Sequence, residues 1–312
     1  MRAMPQVEEV SRVRRVMTGI ALMTILLSAA AASVVAQGSP SPASPSTSPG
    51  AALVPSATPV PIGAVDHPTG ATDVVLSMET GGGLIPFGFL PTQAPAFVLH
   101  GDNSAVFRPG EDPTGTGMPP FIRATLSPDQ VDALLTFALQ QGGLADARTE
   151  YLDPTVADGP TTLFTIDAAG VSKRVSVYAL GIGRGEDPEA YRAFETLAEL
   201  LSTFEQQVAR GQVLTAETYQ PELYRATLME SGPDFDAMYW PWSDLAPDDF
   251  QFDPHNPSRR IAGMTPDQVA MVTAVPSGGV IGVPLQAPDG AFFDLALRPL
   301  LPGEPVVDDA PR

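Results

Sequence analysis

The sequence predicts an α+β fold: two tandem units, each an antiparallel sheet with a helix on one face, preceded by an N-terminal signal or anchor helix and a disordered Pro/Ser linker. Three observations carry this expectation. Short apolar runs separated by glycine-bearing turns alternate with segments of helical spacing. Three sequence markers recur in the same order along the chain. The 28 glycines and 34 prolines make an all-helical bundle untenable.

The elements follow in chain order. Arg2, Arg12, Arg14 and Arg15 precede Val16 to Val35, a run without a charged residue. As a helix it spans roughly 30 Å, enough to cross a bilayer, so a retained anchor competes with a signal peptide. Small residues at Ala29 to Ala32 and Val34-Val35-Ala36 favour cleavage, with Gln37 as the new terminus. Either outcome places the remainder outside the cytoplasm. Residues 1–36 are thus export segment and 37–71 linker, whose Ser, Pro, Ala and Thr bury too little apolar surface to offset chain entropy.

The first unit, 72–211, opens with a strand at 73–79 and a hairpin of 97–100 with 105–107 around Gly101-Asp102-Asn103. Ser127-Pro128-Asp129-Gln130 supplies an N-cap, a proline at the first helical position and a capping-box glutamine. Val131, Leu134, Leu135, Ala138 and Leu139 follow at helical spacing until Gly142-Gly143. A second hairpin pairs 161–166 with 171–178, and Asp187-Pro188 starts a helix running to Gly211, a candidate connector between the units.

The second unit, 212–304, repeats this order in shorter form. LSMETG (76–81) is echoed by TLMESG (227–232), SPDQV (127–131) by TPDQV (265–269), and the turn at Gly170 by Pro288-Asp289-Gly290. Residues 305–312 form a frayed tail carrying Asp308 and Asp309.

Chemistry is sparse. A formal charge of -19 excludes a simple nucleic-acid binder, and the absence of cysteine removes thiol, disulfide and iron-sulfur chemistry. None of the three histidines, His67, His100 and His255, has a second histidine at metal-ligand spacing. No nucleophile elbow, phosphate-binding loop or dinucleotide fingerprint occurs.

The most distinctive segment is Met238-Tyr239-Trp240-Pro241-Trp242, which holds both tryptophans and is followed by Asp244, Asp248, Asp249 and Asp253. Phe87 and Phe89 occupy the loop after the matching strand of the first unit. Phe87, Phe89, Tyr239, Trp240, Trp242 and Asp244 are the candidate ligand-binding residues, since flat aromatic faces beside carboxylates suit a sugar, a cationic peptide or protein, or an amine ligand. The same pattern equally describes a long loop stapled to a core by its aromatics, with aspartates capping turns. Glu79 and Glu230 end the two matched strands and are candidate paired carboxylates for a hydrolase. No cofactor is required. Calcium has one candidate cluster, Asp248, Asp249 and Asp253, whose spacing departs from the EF-hand loop.

The Met-Glu-Thr-Gly-Gly-Gly strand end, the Gly-Asp-Asn hairpin, the Ser-Pro-Asp-Gln helix start and the closing Leu297-Arg298-Pro299-Leu300-Leu301-Pro302 resemble secreted proteins of GC-rich bacteria over roughly residues 73–304. That resemblance implies an exported module and no chemistry. The leading expectation is a non-catalytic extracytoplasmic binding module with a cell-surface or extracellular ligand, touching a membrane only through an uncleaved N-terminal segment. The alternatives are a secreted carboxylate-dependent hydrolase of an envelope or extracellular polymer, and an acidic envelope or inhibitor protein that binds a cationic partner.

Overall fold

The computed structural model describes residues 64–85, 87–110, 118–273 and 279–307. The export segment, most of the linker, and Asp308 and Asp309 lie outside them. Among the described residues no helix is long and apolar enough to cross a membrane.

The fold is α+β with two sheets. The first is built from β1 (Val74–Gly82), β2 (Phe97–His100), β3 (Ser104–Phe107), β4 (Ile122–Thr125), β5 (Glu150–Tyr151), β6 (Pro160–Ala168), β7 (Val171–Tyr178) and β8 (Thr215–Thr218), in the order β5-β7-β6-β1-β2-β3-β4-β8. One face is covered by α1 (Pro128–Gln140) and α2 (Pro188–Ser202). In β6, Thr162, Phe164, Ile166 and Ala168 alternate inward, as a sheet with one buried face requires.

α1 forms where the sequence places it: the Ser127 hydroxyl accepts from Gln130 N, and the Gln130 side chain accepts from Ser127 N at 2.7 Å. The helix ends at Gln140, and the chain turns away through Gly143, whose φ of 73° an L-residue rarely adopts. The expected 188–210 helix is instead broken. Ser202 and Thr203 hydroxyls donate back to Glu199 O, Thr203 leaves the helical conformation, and the chain restarts as α3 (Glu205–Ala209). The break turns Phe204 inward, with ring centroids 4.9 Å from Phe97 and 5.2 Å from Phe107. α2 itself buries Tyr191, Phe194, Leu197 and Leu201, so it is a core helix of the first sheet and not a connector.

Two boundaries differ from those expected. Residues 64–71, assigned to the linker, dock on the first sheet: Val65 N donates to the Asp132 carboxylate at 3.0 Å, and Ala169 N donates to Asp66 O at 2.7 Å. Gly101 lies so close to this segment that a Cβ there would sit 2.4 Å from Pro68 O. β8, past the expected boundary at 211, pairs with β4 of the first sheet.

The second sheet contains β9 (Tyr224–Ser231), β10 (Met238–Tyr239), β11 (Gln251–Asp253), β12 (Asn256–Met264), β13 (Val280–Gln286) and β14 (Phe292–Pro299), ordered β10-β13-β14-β9-β12-β11. Its helix, α4 (Pro266–Ala270), carries the same capping box through Thr265 and Gln268 but buries only Val269. β1 and β9, the matched strands, are both central. The hairpins join them differently: β2 and β6, each the first strand of a hairpin, flank β1, whereas β12 and β14, each the second, flank β9. The order of elements recurs while the pairing does not.

The sheets have separate main cores. Between them lies a smaller cluster of Val98, Val106, Phe121, Tyr219 and Leu301, where the Tyr219 hydroxyl donates to Leu300 O at 2.8 Å. This is why β2 and β3 are buried on both faces.

The β6–β7 turn holds Ala169 at φ 52° and Gly170 at φ 73°, the left-handed pair of a two-residue hairpin loop. A non-glycine residue there carries backbone strain that asparagine tolerates better than alanine. Ala169→Asn should therefore raise the unfolding free energy by roughly 0.5–1 kcal/mol, read as a higher urea midpoint at unchanged slope.

Candidate functional site

α4 is too short to cover the second sheet, and the segment after β10 takes its place. Trp242 is 4% exposed, and Trp240 packs beside it with centroids 5.0 Å apart. Trp240 also meets Phe250 at 6.2 Å and Phe293 at 6.4 Å in edge-to-face contacts. Both indole N–H groups are used internally: Trp240 Nε1 donates to Leu245 O at 2.6 Å, and Trp242 Nε1 donates to Gln268 O at 2.9 Å. The sequence offers these rings as ligand faces, but the fold puts Trp242 in the second core and packs the half-buried Trp240 against it, where α4 contributes one buried residue.

What stays outside is the rim of the same segment. Tyr239 is 81% exposed on β10, an edge strand, Phe235 is fully exposed just before it, and Asp234, Asp236 and Asp244 are exposed around them. Phe235 escapes a sequence reading because a lone phenylalanine between aspartates reads equally well as a buried staple.

The calcium candidates do not converge. Asp248 pairs with Arg260 at 2.8 Å, Asp249 accepts from Ala246 N at 2.7 Å to cap its own turn, and Asp253 accepts from His255 N at 2.9 Å. Among the described residues no group of three or more His, Asp or Glu is placed to hold a metal ion.

Glu79 and Glu230 stand in different sheets, opposite Leu163 and Phe293 respectively. The charged partner of Glu230 is Arg260 at 3.6 Å. Arg260 also lies over the Phe252 ring at 5.0 Å, and this group borders a groove of about 200 Å³ walled by Met229, Pro257 and Phe293. The groove's one cation is already paired, with Glu230 at 3.6 Å and Asp248 at 2.8 Å.

Phe87 begins a 3-10 turn, Phe87–Thr92, and its side chain lies outside the described residues. Phe89 is 46% exposed and lines a separate cavity with Arg108 and Met118, to which no residue of 238–253 contributes. The candidate ligand residues are therefore not one site.

Two polar clusters carry no warning in the sequence. Asp153 accepts from Thr155 Oγ1, Gly185 N, Thr155 N and Arg184 N, and these bonds hold its carboxyl down to about 2. It ties the loop before β6 to the loop before α2. Arg225 and Arg298 face each other across β9 and β14, an unfavourable register for like charges, and both bind Glu304. Nearby, burial lowers the His100 imidazole below its ordinary value, against the pull of the Asp102 carboxylate.

Compared with known proteins, the chain matches no family model, no curated protein and no solved structure.

Proposed function

We propose that the chain is a non-catalytic extracytoplasmic binding module that meets a cationic peptide or protein surface with the acidic, aromatic edge of its second sheet. The supporting observation is the exposure of Phe235 and Tyr239 among Asp234, Asp236 and Asp244, next in sequence to Trp240 and Trp242, which pack into and against the second core. Exposed rings suit apolar and cation-π contact, and the carboxylates attract cations. The export segment and Pro/Ser linker belong to this proposal as leader or anchor and spacer. So do the tandem units, which rest on the recurring element order alone.

The hydrolase alternative gains no support from Glu79 and Glu230, which stand in separate sheets. The inhibitor alternative uses the same acidic edge and differs only in what its partner does.

The test is titration of the full chain with a lysine-rich decapeptide and, separately, a neutral oligosaccharide. The decapeptide should bind, weaken as salt rises from about 0.05 to 0.5 M, and bind about tenfold more weakly to Phe235→Ala with Tyr239→Ala. Salt-insensitive binding of the sugar alone would transfer the site to stacking chemistry, and binding unchanged in the double variant would sink this edge as the contact surface.

A further inference from the structure

A second cavity, of about 240 Å³, opens beside the 3-10 turn Phe87–Thr92, bordered by Ile85, Phe89, Thr92, Gln93, Arg108 and Met118. Its walls are mostly apolar, and it contains one full charge. The Arg108 guanidinium has one face over the buried Phe121 ring, 4.5 Å from its centroid. Among the described residues no carboxylate pairs with it.

The electrostatic setting is lopsided for an acidic protein. Arg225, Arg298 and Arg108 gather at the junction of the sheets, and Glu304 is engaged by the first two: Arg298 grips both its oxygens, and Arg225 Nη2 lies 3.7 Å away. Burial, and repulsion from Arg298, bring Arg108 down to about 10. Among the described residues this half-buried cation has only another cation beside it, which is costly, and an anion delivered into the cavity relieves both desolvation and repulsion.

We propose that this cavity binds a small organic carboxylate with an apolar body, its carboxylate on the Arg108 guanidinium and its body against Ile85, Phe89 and Met118. A planar guanidinium fork matches a carboxylate. Gln93 adds an amide donor. Inorganic phosphate is a poorer occupant, because apolar walls would strip its hydration without replacing it. The site is separate from the acidic edge, and neither depends on the other.

Calorimetric titration of the full chain at low ionic strength tests this with benzoate, its neutral isostere benzamide, and inorganic phosphate. Benzoate should saturate one site per chain, with benzamide and phosphate at least about tenfold weaker. Arg108→Gln should weaken benzoate at least about tenfold, while Arg108→Lys keeps part of the affinity and Phe89→Ala loses part. Equal binding of benzoate and benzamide would overturn the proposal, as would no benzoate binding, or binding untouched by Arg108→Gln. So would benzoate binding that appears only in Glu111→Gln with Asp112→Asn, since the anion would then be the chain's own. If Arg108→Gln does not fold, the benzoate to benzamide contrast on the unaltered protein and the Arg108→Lys variant decide.

Discussion

Trp242→Ala should lower the unfolding free energy by roughly 3–5 kcal/mol, the range for truncating a large buried aromatic. The ring is 4% exposed, its N–H donates to Gln268 O, and its neighbour Trp240 packs edge-on at 5.0 Å. Truncation opens a cavity under the second sheet and removes one of two donors to Gln268 O, which Met271 N still meets at 3.2 Å. Tyr239→Ala, three residues away and 81% exposed, should change stability by less than about 0.5 kcal/mol. Urea melts of the two variants separate support from surface: if Trp242→Ala melts like the parent chain, the second core is not built as described. The comparison also governs how a loss of binding is read, since a tryptophan variant that fails to bind has lost its scaffold first.

Glu304→Gln should cost about 3 kcal/mol near neutral pH, because it leaves Arg225 and Arg298, 5% and 1% exposed, facing each other without their counterion. The glutamine retains a carbonyl to accept one guanidinium bond, so the variant isolates charge more than shape. Burial alone would raise the Glu304 carboxyl, but hydrogen bonds from Arg298 and the charges of Arg298 and Arg225 outweigh it and hold the group below its ordinary 4.5. A carboxyl lowered in the folded state contributes stability that is fully present above its unfolded value and is lost as pH falls through the lower folded value. The gap between parent and Glu304→Gln should thus be widest above pH 4.5 and narrow below it. The Asp153 carboxyl, held down to about 2, changes both proteins alike and cancels in the difference. A gap independent of pH would mean that Glu304 acts through packing.

The closing segment has a second role in this picture. Arg225 Nε donates to Val306 O at 2.7 Å and its Nη2 to Pro305 O at 2.6 Å, so residues expected to fray are held by the same buried cation. The Leu297 to Pro302 stretch thereby becomes part of the junction between the sheets, with Leu301 in its apolar cluster.

The sequence by itself determined the elements whose signals are local. The capping boxes at Ser127 and Thr265, the β2–β3 and β6–β7 turns and the period-two alternation of β6 follow from backbone chemistry within a few residues. It also determined that the described fold contains no thiol chemistry. Tertiary structure decided what depends on distant partners. The 188–210 helix breaks at Ser202 and Thr203, and Phe204 then sits between Phe97 and Phe107, distant partners that no local periodicity reveals. Trp242 went inside and Trp240 packed half-buried against it because α4 stops after five residues and leaves the second sheet uncovered, whereas Tyr239, adjacent in sequence, remained on an edge. Residues 64–71 joined the first unit through one bond to the Asp132 carboxylate of α1 and one to the Ala169 backbone of the β6–β7 turn, too few to alter a composition that reads as linker. Arg108, Arg225, Arg298 and Glu304 are scattered along the chain: the β9–β14 pairing brings two guanidiniums to one carboxylate, and Arg108, from the other sheet, comes near Arg298 without reaching it. Caps and turns are written in contiguous residues, while burial and charge balance are set by whichever segments the fold brings together.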